Sequence, residues 1–143
     1  MVSIRPPRPG DEDRIAELAG QLGYPSSGPQ VRQRLQDLTS RAQACVRVAE
    51  LDGELSGWIA ASVMHCLECV PIPEITGLVV DERRRSSGIG AALLTAVEAW
   101  ARASGYGALT VRSNIVRVRA HRFYLRHGYT VVKTQRCFQR ELR

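Results

Sequence analysis

The sequence predicts an α/β (α+β) protein in which helices pack on a mixed, mostly antiparallel sheet. Three observations lead to this class. Stretches with strand periodicity alternate along the chain with four stretches of helical periodicity. Their order, β-α-α-β-β-β-α-β-α-β-β, mixes both element types, as in one shared core of about six to seven strands and about four helices. The 143 residues, 44% hydrophobic and 24% charged, are typical of one globular domain, which we expect to span residues 1–143.

The N-terminal half predicts one strand and two helices. Residues 2–5 alternate as a strand, which the following prolines end. Residues 11–22 carry acidic side chains in the first turn and apolar side chains on one face, and Gly23 follows as at a helix end. Residues 30–40 repeat apolar side chains at helical spacing after a loop rich in Pro, Ser and Gly.

A hairpin and a central strand come next. Residues 44–51 and 56–65 alternate as strands around Asp52-Gly53, a dipeptide typical of hairpin turns. Residues 66–73 contain two prolines and predict a loop or a bulge. Residues 74–80 have few polar side chains, which favours a central strand.

The C-terminal half begins with the strongest helical pattern of the chain. Over residues 88–104 an apolar stripe that includes Ile89, Leu93 and Val97 recurs at helical spacing, and Gly105 follows. The remaining predicted elements are a strand over 108–111, a helix over 118–127 that ends at Gly128, and strands over 131–132 and 135–140.

The chain is basic, with a net charge of +6 and a pI of about 9.7. Such a surface suits a polyanion, either nucleic acid or a phosphate-rich cofactor. Only Arg83, Arg84 and Arg85 cluster, and we interpret them as local to a phosphorylated ligand, with no specific nucleic acid as partner. No apolar stretch approaches the roughly 20 residues of a membrane helix, and the first residues lack the apolar core of a secretory signal. We therefore expect a cytoplasmic protein without a membrane partner.

The four cysteines predict free thiols, as is usual in a reducing cytoplasm. Cys66 and Cys69 form a single C-x-x-C pair. A tetrahedral zinc site needs four ligands, and the other cysteines and histidines show no matching spacing. No metal site is expected.

A glycine-containing turn, R-S-S-G-I-G over residues 85–90, lies between the strand 74–80 and the long helix. A helix N-terminus offers free N–H groups and partial positive charge to an anion. The third glycine of the dinucleotide fingerprint is missing, and no G-x-x-x-x-G-K-S/T string exists. The turn thus fits either a phosphate site or an ordinary connection that uses glycine for its φ freedom.

A second motif, over residues 120–129, narrows the interpretation of the glycine-containing turn. Residues 120–129 read A-H-R-F-Y-L-R-H-G-Y and follow the R-x-x-G-x-G turn by about 30 residues. These two motifs, with the predicted element order, resemble the GNAT superfamily of N-acetyltransferases. The resemblance implies a sheet splayed between its fourth and fifth strands and acetyl-CoA as cofactor, with CoA as product.

The resemblance also implies the cofactor contacts. Backbone N–H groups of the turn would hold the pyrophosphate, from Arg85, Ser86, Ser87, Gly88, Ile89, Gly90 and Ala91. The open edge of the strand would pair with the pantetheine arm through Leu78, Val79 and Val80. The family often has an asparagine three residues before the motif alanine, where this chain has Arg117. Asn114 lies three residues earlier, so either residue is a candidate contact.

Two residues are expected to act in catalysis. Tyr124 matches the tyrosine that the family places beside the thioester sulfur, where its phenol can protonate the leaving thiolate. The alternative is a core tyrosine next to Phe123. Glu74 opens the fourth strand, where some members carry a general base; a solvent-facing strand glutamate is the alternative.

The function implied is acetyl transfer to a primary amine by direct attack in a ternary complex. The acceptor is expected to be a small-molecule amine, aminoglycoside- or polyamine-like, or else a protein amine. Two alternatives stay open: a sensor that binds acetyl-CoA without turnover, and nucleic-acid binding by the basic surface. A homodimer is possible, although the sequence shows no interface.

Overall fold

Five strands form one mixed sheet, in the spatial order in which they follow along the chain. The computed structural model describes all 143 residues. The strands are β1 (Val2–Arg5), β2 (Ala44–Leu51), β3 (Glu54–Met64), β4 (Ile72–Val80) and β5 (Thr110–Val111). Strands β1 to β4 pair antiparallel, whereas β5 runs parallel to β4. The sheet lies within the first of two compact units, Met1–Arg112; the second is Ser113–Arg143.

All four predicted helices are confirmed, with ends that differ by at most two residues. They are α1 (Glu12–Gln21), α2 (Gly28–Thr39), α3 (Ile89–Ala103) and α4 (Val118–Arg126). Helix α2 begins earlier than predicted because Ser27 and Gln30 form a reciprocal capping box, which satisfies two free N–H groups. None of the helices combines the length and apolar composition of a membrane span.

Strand β3 is the centre of the core, with α1 on one face and α3 on the other. The indole N–H of Trp58 donates to the Ile15 carbonyl of α1 at 3.2 Å. On the opposite face, Gly57 lies directly under Ile89 and Leu93 of α3, both of which are fully buried. Each such buried aliphatic side chain stabilises the fold by about 1.5–3 kcal/mol.

Two β-bulges interrupt the regular pairing, one in β3 and one in β4. The register passes from Ala49–Gly57 to Glu50–Leu55, which leaves Ser56 as an extra residue of β3. It likewise passes from Ala60–Gly77 to Ala61–Ile75, which leaves Thr76 extra in β4. Side chains alternate between the two faces of a strand. One extra residue therefore moves the side chains before the bulge to the opposite face from the one they would have in a regular strand.

The splay between the fourth and fifth strands is present. Strand β5 pairs with β4 only at Glu74–Thr110 and Ile75–Val111. From the bulge at Thr76 onward, β4 has β3 on one side and no strand on the other. The edge of residues 76–80 therefore keeps free backbone groups that an extended ligand can pair with.

Strand β4 also begins earlier than predicted. Ile72 and Pro73 belong to the strand and pair with β3, although the two prolines favoured a loop through residue 73. Pro73 lacks an N–H, which is tolerated here because β5 does not reach this part of β4.

The predicted free thiols at Cys66 and Cys69 are a second error. The structure joins them by a disulfide in the β3–β4 connection, where the turn brings their Cα atoms to 5.3 Å. That separation is within the range that a disulfide spans. Cys45 and Cys137 are free.

The second unit contains α4 and no strand, so the strands predicted over 131–132 and 135–140 are wrong. Residues 130–143 form no backbone hydrogen bond, and Val131, Val132 and Phe138 are exposed. A β-favouring composition does not make a strand without a partner, because strand propensity expresses packing against neighbours.

The packing of β3 on α3 gives a stability prediction. A Cβ added at Gly57 would lie 2.9 Å from Ile89 Cγ2 and 3.0 Å from the Val79 carbonyl. We expect Gly57→Ala to lower the free energy of unfolding by about 1–3 kcal/mol through overpacking. Gly20→Ala is the control, since Gly20 is a helical position with open space; it should stabilise by about 0.5–1 kcal/mol. Urea unfolding measures both, and equal effects would contradict the packing account.

Candidate active site

The turn after β4 presents a run of free backbone donors. It leads from a 3-10 turn, Glu82–Arg84, into α3. The N–H groups of Gly88, Ile89, Gly90 and Ala91, at the cap and in the first turn of α3, have no partner within the chain. Gly88 caps α3 with φ +83°, a left-handed conformation that glycine adopts without strain. The turn therefore presents four consecutive donors at a helix N-terminus, as an anion site requires.

The side chains of the turn leave this surface open. Gly88 has no other atom within 4 Å of the position of an added Cβ. Ser86 also has a positive φ, +68°, which is uncommon for a residue with a side chain, and the Ser87 hydroxyl donates back to the Arg84 carbonyl. The Ile89 side chain is buried in the core, so only its backbone N–H is available to a ligand.

The interpretation of the three clustered arginines is only partly right. Arg83 pairs with Asp81 at 3.0 Å, and Arg84 pairs with Asp52 at 3.4 Å. Both also pair with Glu54. Arg85 alone is exposed and free of ion pairs, so it is the one arginine of the cluster whose charge is available to a ligand.

Asp81, which sequence reasoning missed, anchors the start of the turn. Its side chain is fully buried and accepts from Arg14 of α1 and from the backbone N–H of Arg83. Its own N–H donates to the carbonyl of the bulge residue Ser56 at 2.8 Å. The hydrogen bonds from Arg83 and Arg14 hold the pKa of this carboxyl well below its usual range, despite burial.

Helix α1 also contacts the start of the turn through Gln21. The Gln21 side-chain carbonyl accepts from the Glu82 N–H at 3.0 Å, while its amide donates to Asp81 at 3.5 Å. Arg14 also donates to the Leu55 carbonyl at 2.8 Å. The path of the chain between β4 and the turn is therefore fixed by α1 and by β3.

The predicted backbone partners lie on the open part of β4. Leu78, Val79 and Val80 pair with β3 on one side, opposite Ile59, Trp58 and Gly57 in that order. Val79 belongs to the buried core on the α1 face. On the other side these three residues have no strand partner, so their outward backbone groups remain free.

Glu74 lies where the splay begins, and its side chain is mostly buried, at 14% exposure. It pairs in the sheet with Ser62 of β3 and Thr110 of β5. Its carboxylate accepts from Nε of Arg112 at 2.9 Å. The alternative of a solvent-facing strand glutamate does not fit this burial, and the arginine was not foreseen.

In the second unit, Asn114 and Arg117 shape the segment before α4. The Asn114 side chain accepts from the Val116 N–H at 3.1 Å, and its carbonyl accepts from the Arg117 N–H at 2.9 Å. The His121 ring also donates to that carbonyl. The Asn114 side chain is thus used in a local hydrogen bond, whereas the Arg117 side chain is exposed and makes no such bond.

Tyr124 lies on α4 among aromatic rings. Phe123 and Tyr129 pack edge-on against it, with centroid distances of 5.3 and 5.8 Å. Burial raises the pKa of its phenol, and the charge of Arg117 acts in the opposite direction. The phenol therefore stays protonated at neutral pH, which is the form that donates a proton.

Comparison with known proteins decides the family. Residues 13–129 match the sequence model of the Acetyltransferase (GNAT) family. The chain belongs to this family. It is 30% identical over 132 residues to aminoglycoside N(6')-acetyltransferase type 1 of Stenotrophomonas maltophilia, covering 89% of this chain and 85% of that protein.

Two further similarities place this GNAT acetyltransferase among its relatives. It is 40% identical over 84 residues to aminoalkylphosphonate N-acetyltransferase of Salmonella typhimurium, covering 58% of this chain and 54% of that protein. Its fold matches AAC(6')-Iy, solved in complex with the bisubstrate analogue CoA-S-monomethyl-acetylneamine, with a TM-score of 0.86 at 16% identity. That match covers 99% of both chains.

In the GNAT acetyltransferase, the first unit contains Glu74, the open edge of β4 and the turn 85–91. The predicted residues Asn114, Arg117 and Tyr124 lie in the second unit. Sequence reasoning missed Asp81 and Arg112. Asp81 had a signal, because it is the first polar residue after an apolar strand; Arg112 had only its place directly after β5.

Proposed function

We propose that this GNAT acetyltransferase uses acetyl-CoA to acetylate a primary amine of a small molecule. The observation that carries the proposal is the run of four unpaired N–H groups at the start of α3, which follows an unpaired strand edge in the sequence. A diphosphate needs such donors, and an extended amide-containing arm needs such an edge. A related fold solved with a CoA-derived analogue supports the same ligand.

The residues present fit this cofactor. The backbone N–H groups of Arg85, Ser86, Ser87, Gly88, Ile89, Gly90 and Ala91 would hold the pyrophosphate. Those of Leu78, Val79 and Val80 would pair with the pantetheine arm. The Arg85 guanidinium is free to neutralise phosphate charge, as is the exposed Arg117, which fits this role better than Asn114.

The chain's own groups account for the proton movements of a direct transfer. When bound, acetyl-CoA supplies the activated thioester. Glu74 accepts the proton that the acceptor amine loses, directly or through a water, as the N–C bond forms. A backbone N–H near Val80 stabilises the negative charge that develops on the carbonyl oxygen. Tyr124 donates a proton to the sulfur as the C–S bond breaks.

The names of the two relatives indicate the general class of acceptor. One is named for aminoglycosides and the other for aminoalkylphosphonates, and both classes carry primary amines. The first class is polycationic, and the second combines an amine with an anion. A small-molecule amine is the common element, and a protein amine is the alternative, which a panel of small amines and peptides tests.

Gly88→Ala tests the cofactor site. Saturating acetyl-CoA should raise the melting temperature of the wild type, because a ligand at 100 times its Kd adds about 2.7 kcal/mol of stability. The added Cβ at φ +83° should cost about 1–2 kcal/mol of stability and crowd the phosphates. We expect a loss of at least about tenfold in acetyl-CoA affinity, which equals 1.4 kcal/mol.

Gly105→Ala is the matched control. Gly105 has φ +87° and the same open surroundings, but it follows the C-terminus of α3. It should lose similar stability and keep its affinity for acetyl-CoA. No thermal shift in the wild type would overturn the proposed function, and a shift without acetylation of any amine by mass spectrometry would identify a sensor instead.

A further inference from the structure

The ion pair between Glu74 and Arg112 places opposite charges side by side at the start of the splay. Arg112 Nε lies 2.9 Å from Glu74 Oε1. The glutamate is 14% exposed and the arginine 63%. The other end of the guanidinium meets only the Met64 sulfur, at 4.0 Å. Arg112 therefore keeps N–H donors that no protein carboxylate occupies.

Glu74 has no acidic partner in the sheet. Its sheet neighbours, Ser62 and Thr110, are neutral. In the connection from β3 to β4, residues 65–71, Glu68 is the one acidic residue. A polycationic acceptor needs several carboxylates for its ammonium groups, and here it would meet a guanidinium directly beside the Glu74 carboxylate.

A zwitterionic acceptor matches this arrangement at both ends. Its ammonium group is attracted to Glu74, and its anion accepts charge-assisted hydrogen bonds from Arg112. A guanidinium binds phosphonate or carboxylate oxygens in a bidentate manner, which fixes orientation as well as affinity. Because the two protein charges are adjacent, the linker between the amine and the anion must be short.

We infer that the acceptor is a short zwitterionic amine, an aminoalkyl phosphonate, phosphate or carboxylate, whose anionic group is bound by Arg112. This inference rests on the proposed function and names the acceptor of the same site. Arg112 thereby determines specificity. It binds the part of the acceptor that does not react and directs the amine to Glu74.

The test compares four amines with acetyl-CoA by mass spectrometry. They are 2-aminoethylphosphonate, propylamine, spermidine and kanamycin. Because a hydrogen bond to a charged group contributes about 1.5–3 kcal/mol, kcat/KM for 2-aminoethylphosphonate should exceed that for propylamine by about 10- to 100-fold. The two polycations should rank below it.

Variants at Arg112 separate specificity from general damage. Arg112→Gln should raise KM for 2-aminoethylphosphonate by about 10- to 100-fold and abolish the preference over propylamine. Arg112→Lys should restore part of the preference, because it keeps the charge without the bidentate geometry. Arg102→Gln removes a charge from an exposed position in the last turn of α3 and is the matched control.

Several results would overturn the inference. One is a wild-type preference for spermidine or kanamycin, and another is an unchanged preference in Arg112→Gln. Failure to acetylate any of the four amines, although acetyl-CoA raises the melting temperature, also overturns it. In each case the proposed cofactor site still stands. If acetyl-CoA produces no thermal shift, the proposed function itself fails.

Discussion

Replacing Tyr124 by Phe is expected to lower kcat by about 100- to 10,000-fold, the contribution that a positioned general acid makes. The variant keeps the ring and its edge-on contacts with Phe123 and Tyr129, and loses only the hydroxyl. Stability and acetyl-CoA affinity should therefore change little. Steady-state kinetics on any acetylated amine measure the effect.

The pH profile gives this experiment a second readout. Because burial raises the pKa of Tyr124, the alkaline fall in kcat should lie above the ordinary tyrosine range in the wild type. In Tyr124→Phe that limb should disappear. Tyr106→Phe, a hydroxyl deletion in the loop after α3, should leave both kcat and the profile unchanged. A kcat for Tyr124→Phe close to the wild-type value would show that the phenol is only a packing group.

Asp81→Asn is expected to produce the largest loss of stability, about 3 kcal/mol. The carboxylate is fully buried and accepts hydrogen bonds from Arg14, Gln21 and Arg83, so the substitution breaks a buried charge-assisted network, while Arg14 keeps only its more exposed partners Glu17 and Glu54. Urea unfolding at pH 7 measures the change. Asp37→Asn, on the exposed side of α2, is the control and should change stability by less than about 0.5 kcal/mol.

The pH dependence of this difference has a definite sign. Because the folded-state pKa of Asp81 is lowered, its contribution is fully present above the unfolded-state pKa of about 3.9. It is lost as pH falls from there through the folded-state pKa. The gap between wild type and Asp81→Asn should thus be constant from pH 7 to about pH 5 and shrink below about pH 4. A gap that grows on acidification would contradict the assignment.

The elements predicted well are those with local signals. Helix α3 is one example, because Ile89, Leu93 and Val97 mark its buried face and Gly105 its end. The R-x-x-G-x-G turn is another, since Gly88 adopts the positive φ for which glycine is used. Strand β2 was predicted with its observed bounds because its mostly apolar run ends at the Asp52-Gly53 turn. Such features depend on residues that are close in sequence, so one amino-acid sequence is enough to predict them.

The features missed depend on partners distant in sequence. Asp81 meets Arg14, which is 67 residues away, and Glu74 meets Arg112 across β4 and β5. The segment 130–143 has the composition of strands but no partner to pair with. In the C-x-x-C pair, the choice between thiols and a disulfide depends on backbone approach, which spacing alone does not reveal.

The extra residue at Thr76 determines on which side of the sheet Glu74 stands. Through Ser62, Glu74 shares a face with Trp58 and therefore with α1. Deleting Thr76 would leave the glycine turn intact yet send the glutamate through to the side of α3. If this chain is aligned with a relative that has one residue fewer between the glutamate and the turn, the two aligned carboxylates lie on opposite faces of the sheet. A glutamate at the matching alignment position therefore does not have to occupy the same place in the active site.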